Sequence, residues 1–252
     1  MYYQADIGIF GGSGFYDMGN DYRNIDVDSK YGKPSGPVSL YSVNGKTVAF
    51  IPRHGKGHVL APSEINYRAN VDVMAKLGVK AILSPNCVGS FRADYKPGDF
   101  VVTDQYINMT SGRKDTYVES PNIKHISSAD PYDADLRAFA LEEGRALGLT
   151  MHDGGTTVVI NGPRFSTRAE SKMFAWMGGD VVNMTQYPEC YLCQEKGIPV
   201  VNVALVTDYD AGLDEEPGIK PVTEEQVAAI LEDKMKDMKA LMLRMIERIG
   251  RK

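Results

Sequence analysis

Short apolar runs alternate with longer amphipathic ones along the whole chain. Ile7-Gly8-Ile9-Phe10 reads as a strand that stops at a glycine cluster, and Val48-Ala49-Phe50-Ile51 as a second, ended by Pro52. Ser63 opens a helical stretch in which Ile65, Ala69, Val73, Met74 and Leu77 recur at helical spacing, with Gly78 in the C′ position. Ala81-Ile82-Leu83 predicts the next strand, and Phe100-Val101-Val102 another after the Pro97-Gly98 turn. Farther on, Leu136, Phe139, Ala140 and Leu147 line a helix face that ends at Gly148. Thr157 to Ile160 predicts a strand, and Thr167-Arg168-Ala169-Glu170 matches a capping box, so a helix starts there. Val181–Met184 is a short strand, followed by a helix through Glu189–Lys196. Pro199 to Val206 is almost wholly apolar and β-branched, which fits a strand buried on both faces. A second capping box, Thr223-Glu224-Glu225-Gln226, opens a long helix with Val227, Leu231, Met235, Met238, Met242, Met245 and Ile249 on one stripe. This alternation predicts an α/β fold: one domain over 1–252, with a central mixed, largely parallel twisted sheet flanked by helices. No repeat or linker interrupts it, and the one long irregular stretch runs from about Thr110 to Pro131.

Composition narrows the function. With 28 Lys plus Arg against 33 Asp plus Glu in 252 residues, the formal charge is −5. A mildly acidic surface argues against sequence-independent nucleic-acid binding, which rests on phosphate neutralisation. Any bound anion must therefore be held by a few placed groups. The N-terminus, Met1-Tyr2-Tyr3-Gln4-Ala5-Asp6, lacks the features of a signal peptide, and no apolar run is long enough for a membrane span. Three cysteines, Cys87, Cys190 and Cys193, form no disulfide framework, and a cytoplasmic location is the natural reading.

Ligands of parallel α/β sheets bind beyond the carboxyl ends of the strands. Here those ends read Gly11-Gly12-Ser13-Gly14, Arg53-His54-Gly55, Asn86-Cys87-Val88-Gly89-Ser90, Met184-Thr185 and Thr207-Asp208-Tyr209-Asp210. A glycine turn frees backbone N–H groups, an Arg and a His supply charge, and hydroxyls add donors; together they suit a phosphate. The glycine cluster matches neither common nucleotide-binding loop, and a tight βα turn is its plain alternative. Taken alone, Arg53 and His54 also read as a surface pair, or His54 as a satisfied hydrogen-bonding residue. Asp208 and Asp210 are more specific: a carboxyl at that edge holds a proton for general acid work or accepts from an amino group. The alternative is that Asp210 merely caps the acidic run Asp214-Glu215-Glu216, which reads as solvated surface. Cys190-x-x-Cys193 lacks a second ligand pair for zinc and reads as helix packing, with a redox pair as the minor alternative. His125 and His152 show no partner spacing.

Taken together, Gly11–Gly14, Pro52-Arg53-His54-Gly55, Pro62-Ser63 through Asn66-Tyr67-Arg68-Ala69-Asn70, Gly89-Ser90, Pro97-Gly98-Asp99 and Asp104-Gln105 resemble the purine nucleoside phosphorylase family. Gly162-Pro163-Arg164-Phe165-Ser166-Thr167-Arg168-Ala169-Glu170, Asn183-Met184-Thr185 and Thr207–Asp210 extend the resemblance over nearly the whole chain, most closely to its branch acting on 5′-methylthioadenosine. The resemblance implies that phosphate attacks C1′ of a purine nucleoside, releasing the base and a ribose 1-phosphate. By family position Ser13, Arg53, His54, Asn86, Cys87 and Thr185 hold phosphate; relatives more often carry Thr and Ala at the Asn86 and Cys87 positions. Met184 lies against the ribose, Asp208 protonates or hydrogen-bonds N7 of the leaving base, and Asp210 helps read the 6-amino group. Relatives acting on 6-oxopurines generally carry Asn at the Asp208 position and Glu at the Ser166 position, so Asp208 and Ser166 imply a 6-aminopurine. His125 matches a position near the 5′ end across a subunit boundary, and the resemblance implies a homo-oligomer, a trimer or a dimer of trimers. Inorganic phosphate is a co-substrate, with no metal or organic cofactor. A dry 5′ pocket walled by the Met-rich last helix is the expectation for a methylthio group. Two alternatives stay open: a phosphorylase for 6-oxopurine nucleosides or 5′-methylthioinosine, and a non-catalytic nucleotide- or phosphate-binding module.

Overall fold

The computed structural model of the chain describes residues 3–213 and 216–250. Its first half holds β1 (Ile7–Gly11), β2 (Tyr22–Ile25), β3 (Val38–Val43), β4 (Lys46–Pro52), α1 (Tyr67–Lys76), β5 (Ala81–Ser90), β6 (Phe100–Val102) and β7 (Gln105–Asn108). Then come α2 (Ala134–Ala146), β8 (Met151–Asp153), β9 (Thr156–Val159), α3 (Arg168–Trp176), β10 (Val181–Asn183), α4 (Gln186–Glu195), β11 (Val200–Asp208) and α5 (Glu224–Arg248). All strands join one mixed sheet, ordered β2-β3-β4-β1-β5-β10-β9-β7, with β11 on β5, β6 on β11 and β8 on β6. The centre is parallel: β1 runs with β4 and β5, and β11 with β5. Antiparallel pairs join β2 to β3, β3 to β4, β10 to β5 and β6 to β11.

Alternate strand residues feed two cores, as the two-residue period of a strand requires. Ile7, Ile9, Val48, Phe50 and Leu83 face α2 and α5, where Leu136, Ala140, Met238, Leu241, Met242, Met245 and Ile246 are buried. Phe10, Ala49, Ile51 and Ile82 face α1 and α4, packing on Val71, Met74, Cys190, Leu192 and Cys193. Each large apolar side chain so buried stabilises the fold by roughly 1.5–3 kcal/mol. β11 is buried along its whole length, as its apolar run predicts.

The predicted boundaries move in instructive places. The first helix begins at Tyr67, not Ser63: Asn66 is the N-cap, its side chain accepting from Ala69 N–H at 3.1 Å. The Ser63 hydroxyl instead donates to the Asn161 carbonyl. Gly78, at φ +74°, ends the helix as predicted. The Thr167 capping box forms in full, whereas Thr223 makes the half in which Gln226 N–H donates to its hydroxyl at 3.3 Å. The strands β2, β3, β7 and β8 escape the hydrophobic pattern because they are short or half-polar; Tyr22–Asn24 of edge strand β2 are exposed. Of the acidic run, Asp214 and Glu215 lie outside the described residues, and Glu216 is exposed.

The largest difference is β5. Sequence ends that strand at Leu83, ahead of Ser84-Pro85, but it continues to Ser90 because β11 pairs with it from Ile82 to Gly89. On its other flank β1 pairs with Ala81–Leu83 and β10, running the opposite way, with Gly89–Ser90. Between those two carboxyl ends the flank of β5 is open. Pro85 lies in that interval with its carbonyl accepting from Arg53 Nη1, so the N–H that proline lacks would have faced the same open side.

Close approach makes Gly11 obligatory at the end of β1. A Cβ there would stand 2.1 Å from the Phe15 carbonyl oxygen and 2.3 Å from Phe50 Cζ. Gly11→Ala is expected to lower unfolding free energy by roughly 1–3 kcal/mol, read as a lower urea midpoint at unchanged m value. An unchanged midpoint contradicts the packing.

Candidate active site

A cavity of about 450 Å³ opens at the gap beside β5. It collects Ser13 after β1, Arg53 and His54 after β4, Asn86, Cys87 and Gly89 from β5, Met184 and Thr185 after β10, and Asp208 and Asp210 at the end of β11. Ser166 also lines it. His125 does not: it is exposed on the irregular segment before α2. Every other residue singled out from sequence for a role in binding or catalysis lies on this one cavity.

One end is built for an anion. Gly12 brings backbone close to Arg53, since a Cβ would lie 2.7 Å from Nη1. Arg53 is fully buried and paired in a fork to Glu189, Nε to Oε2 and Nη2 to Oε1, both at 2.8 Å. Nη2 also donates to the Ser84 hydroxyl and Nη1 to the Pro85 carbonyl. The loop carrying Arg53 is fastened from α1: Asn70 bonds Ser35, whose hydroxyl donates to the Arg53 carbonyl at 2.7 Å. This explains part of the Asn66–Asn70 sequence pattern as scaffolding. Opposite, Thr185 is the N-cap of α4 without a side-chain capping bond, which leaves its hydroxyl to the cavity. Asn86 Nδ2 donates to Gln186, while Asn86 Oδ1, Gln186 Nε2 and Asn183 Nδ2 have no partner within the protein.

The structure corrects the expectation that His54 supplies charge. Burial, with Arg53 and His58 close by, pushes its pKa down to about 4, although the Leu60 carbonyl at 2.9 Å from Nδ1 works the other way. Its imidazole is neutral near pH 7, and Glu189 balances Arg53. The anion end therefore offers hydrogen-bond donors, with no net positive side-chain charge. The Cys87 thiol, pushed up to about 12 by burial, is neutral as well.

At the opposite end stand the two carboxylates. A bulge between Val206 and Asp208 shifts β11 against β5 and aims Asp208 inward. The Thr207 hydroxyl donates to Asp208 Oδ1 at 2.7 Å, and Asp210 N–H donates to Oδ2 at 2.9 Å. Burial outweighs both donors and, with Asp210 adding to it, raises the Asp208 pKa to about 6. Asp210, at φ +45°, is also raised by burial. Gly89 makes room for the pair, because a Cβ there would fall 2.7 Å from Asp208 Oδ2. Ser166 Oγ and Asp210 Oδ2 are buried without hydrogen-bond partners.

Met184 spans the middle, its sulfur against Gly162 and its carbonyl accepting from Arg113 Nη2 at 2.7 Å. His58, Pro62, Ile160, Phe165, Glu224 and Val227 add to the wall. This corrects the Met-rich wall: Met238, Met242 and Met245 are buried in the core, and only the first turn of α5 reaches the cavity. His58, stacked on His54 at 4.3 Å, and Glu189 were not picked out from sequence. His58 lies four residues past His54 in a glycine-rich turn, a pattern too common to single out; Glu189 looks like any helical carboxylate. Cys190 and Cys193 are free, wholly buried and packed in the core, as read from sequence. Among the described residues no group of three or more His, Cys, Asp or Glu is arranged for a metal ion.

A family model described as the phosphorylase superfamily matches residues 6–247. The chain belongs to the phosphorylase superfamily. It is 44% identical over 248 residues to an S-methyl-5′-thioadenosine phosphorylase of Thermofilum pendens, covering 98% of this chain and 93% of that one. A methylthioadenosine phosphorylase from Schistosoma mansoni, solved with adenine, superposes with a TM-score of 0.92 at 34% identity, over 98% of this chain and 92% of that chain. A mutant of the adenosine/methylthioadenosine phosphorylase from the same organism, solved with methylthioadenosine, gives 0.90 at 33% identity, covering 99% and 93%. The superfamily's α/β architecture is thus the one seen here.

The raised pKa of Asp208 has a consequence for stability. Folding favours its protonated form, so its contribution is fully present below the ordinary carboxyl value of 3.8 and is lost as pH rises through about 6. Asp208→Asn, which cannot ionise, is expected to be more stable than wild type by roughly 1–3 kcal/mol at pH 8, the gain shrinking as pH falls toward 4. A difference independent of pH in denaturant titrations refutes the assignment.

Proposed function

We propose that the protein is a pentosyltransferase catalysing the reversible phosphorolysis of S-methyl-5′-thioadenosine to adenine and S-methyl-5-thio-ribose 1-phosphate. The observation that carries this reading is a buried carboxyl, Asp208, whose pKa is raised to about 6, across one cavity from a cradle of anion donors. The relatives' names support the same chemistry.

Cleavage of the C1′–N9 bond leaves positive charge on the ribose and an electron pair on the purine. Groups that bind this separated state more strongly than the substrate accelerate the step. Phosphate, held by Ser13, Arg53, His54, Asn86, Cys87 and Thr185, stabilises the cation and forms the new bond to C1′. Asp208 delivers its proton to N7 as the base leaves. Asp210 and Ser166, whose unpartnered oxygens face this end, read the 6-amino edge, and Met184 lies against the ribose. Inorganic phosphate is the co-substrate and no cofactor takes part.

The whole of 1–252 is proposed as one nucleoside phosphorylase domain, supported by a single sheet and by the superfamily match over 6–247. We also propose a homo-oligomer, a trimer or a dimer of trimers. Met173 and Trp176 of α3, with its C-cap Met177, form an exposed apolar stripe, and His125 would act from a neighbouring subunit. No helix among the described residues is long and apolar enough to cross a membrane, and the three cysteines are unpaired; a cytoplasmic enzyme is the matching proposal.

Adenine release from methylthioadenosine is expected to require phosphate and to exceed hypoxanthine release from 5′-methylthioinosine. Phosphate-independent release would indicate a hydrolase, no release a binding module, and faster 6-oxo turnover the alternative base specificity. The wall formed by Glu224 and Val227 gives a second test. Glu224 forms no ion pair among the described residues, and its carboxylate disfavours an apolar 5′ substituent. Glu224→Val is expected to raise kcat/KM for methylthioadenosine relative to adenosine by about 3–30-fold, the scale of a small change in an apolar pocket. An unchanged ratio removes Glu224 from the 5′ wall.

A further inference from the structure

Resting on the phosphorolytic reading, we infer that Glu189 is a positioning residue for phosphate, holding Arg53 so that one N–H is left for the anion. A guanidinium has five N–H donors. Glu189 takes the Nε and one Nη2 hydrogen, Ser84 the other Nη2 hydrogen, and the Pro85 carbonyl one hydrogen of Nη1. The fifth hydrogen, also on Nη1, is on the atom that a Cβ at Gly12 would touch, and Gly12 lines the anion end.

Simple neutralisation of a buried arginine would be served by any carboxylate contact. Glu189 does more, because its fork fixes the plane of the guanidinium and commits the edge away from Gly12. The Ser84 hydroxyl reinforces the fork, donating to Glu189 Oε1 at 2.5 Å while accepting from Arg53. Glu189 also lies in α4, whose N-cap is Thr185, so one carboxylate ties the β4 wall of the anion end to the α4 wall. Since it cancels the Arg53 charge, phosphate affinity depends on where the donors point and little on net attraction.

The test compares inorganic phosphate binding by calorimetry with steady-state kinetics. In Glu189→Gln, an amide N–H replaces one acceptor of the fork and the guanidinium loses its fixed plane. The phosphate Kd and phosphate KM are expected to rise by about tenfold or more, with nucleoside KM within about twofold of wild type. Glu189→Asp, which keeps the charge but shortens the reach, is expected to fall between. Ser84→Ala loosens the fork without removing the buried charge; a phosphate-specific rise of about threefold is expected there. That variant, with Glu189→Asp, decides the matter if Glu189→Gln does not fold. A purely structural role would lower thermal stability and leave phosphate Kd at the wild-type value in the folded variants, and that result overturns the inference. A wild-type enzyme that releases no adenine in phosphate would overturn the reaction instead, while the calorimetric comparison still decides the role of Glu189.

Discussion

β11 pairs with β5 from Ile82 to Gly89, whereas on the other flank β1 stops at Leu83 and β10 arrives from the opposite direction at Gly89. Central strands are normally bonded on both sides, because a buried peptide group without a partner is costly. Here the open interval is met by other means. The Pro85 carbonyl accepts from Arg53, its missing N–H needs no acceptor, and the strand remains anchored through β11. A proline that would break a doubly paired strand is thereby compatible with the middle of this one. The same interval admits the glycine turn from one side and Asn183–Thr185 from the other. The site is a consequence of how the flanks of β5 are shared.

Electrostatics inside that gap differ from those of the surface. A net charge of −5 is a sum over the whole chain, and most of it sits on exposed side chains whose fields are screened over about 8–10 Å at physiological salt. Within the cavity the balance is local: Arg53 is matched by Glu189, and His54 is held neutral by burial. Removing one partner of such a buried pair leaves an uncompensated charge, so Arg53 and Glu189 depend on each other. A neutral cradle binds through the direction and number of its donors, a form of recognition that overall acidity does not oppose.

What was legible in the sequence follows from range. Elements whose signal is local, such as β1, β11, the Thr167 capping box and the glycine end of α1, are where hydrophobic pattern and capping chemistry put them. The fold class and the clustering of Ser13, Arg53, Asn86, Thr185 and Asp208 were legible because parallel sheets present ligands at their strand ends. Three features were not, each set by a distant partner. Pro85 stopped the predicted β5 because pairing with β11 cannot be seen locally. Glu189 shows its role only beside Arg53, 136 positions away. The histidine charge state depends on burial that a dipeptide does not reveal. The methionines of α5 failed as a 5′ wall for a related reason: their stripe faces the core, and only the helix's first turn overhangs the cavity.

The acid end shows how the fold concentrates unfavourable choices in one place. A bulge interrupts the β11–β5 register, Asp210 adopts a positive φ, and two carboxyls are buried with their pKa values raised. The positive φ is a sparsely populated conformation for a residue with a side chain, and the buried carboxyls cost stability once they ionise. They act together, however. The bulge aims Asp208 inward, the Asp210 turn places its N–H on Oδ2, and the nearby second carboxyl helps keep a proton on the first. Had the two donors to Asp208 outweighed burial, its pKa would lie below 3.8 and it would be a poor acid at neutral pH. Desolvation is the larger effect, and it depends on the closed packing of β5, β10 and β11 around Gly89. The proton at the base end is therefore held by the same strand arrangement that opens the anion end.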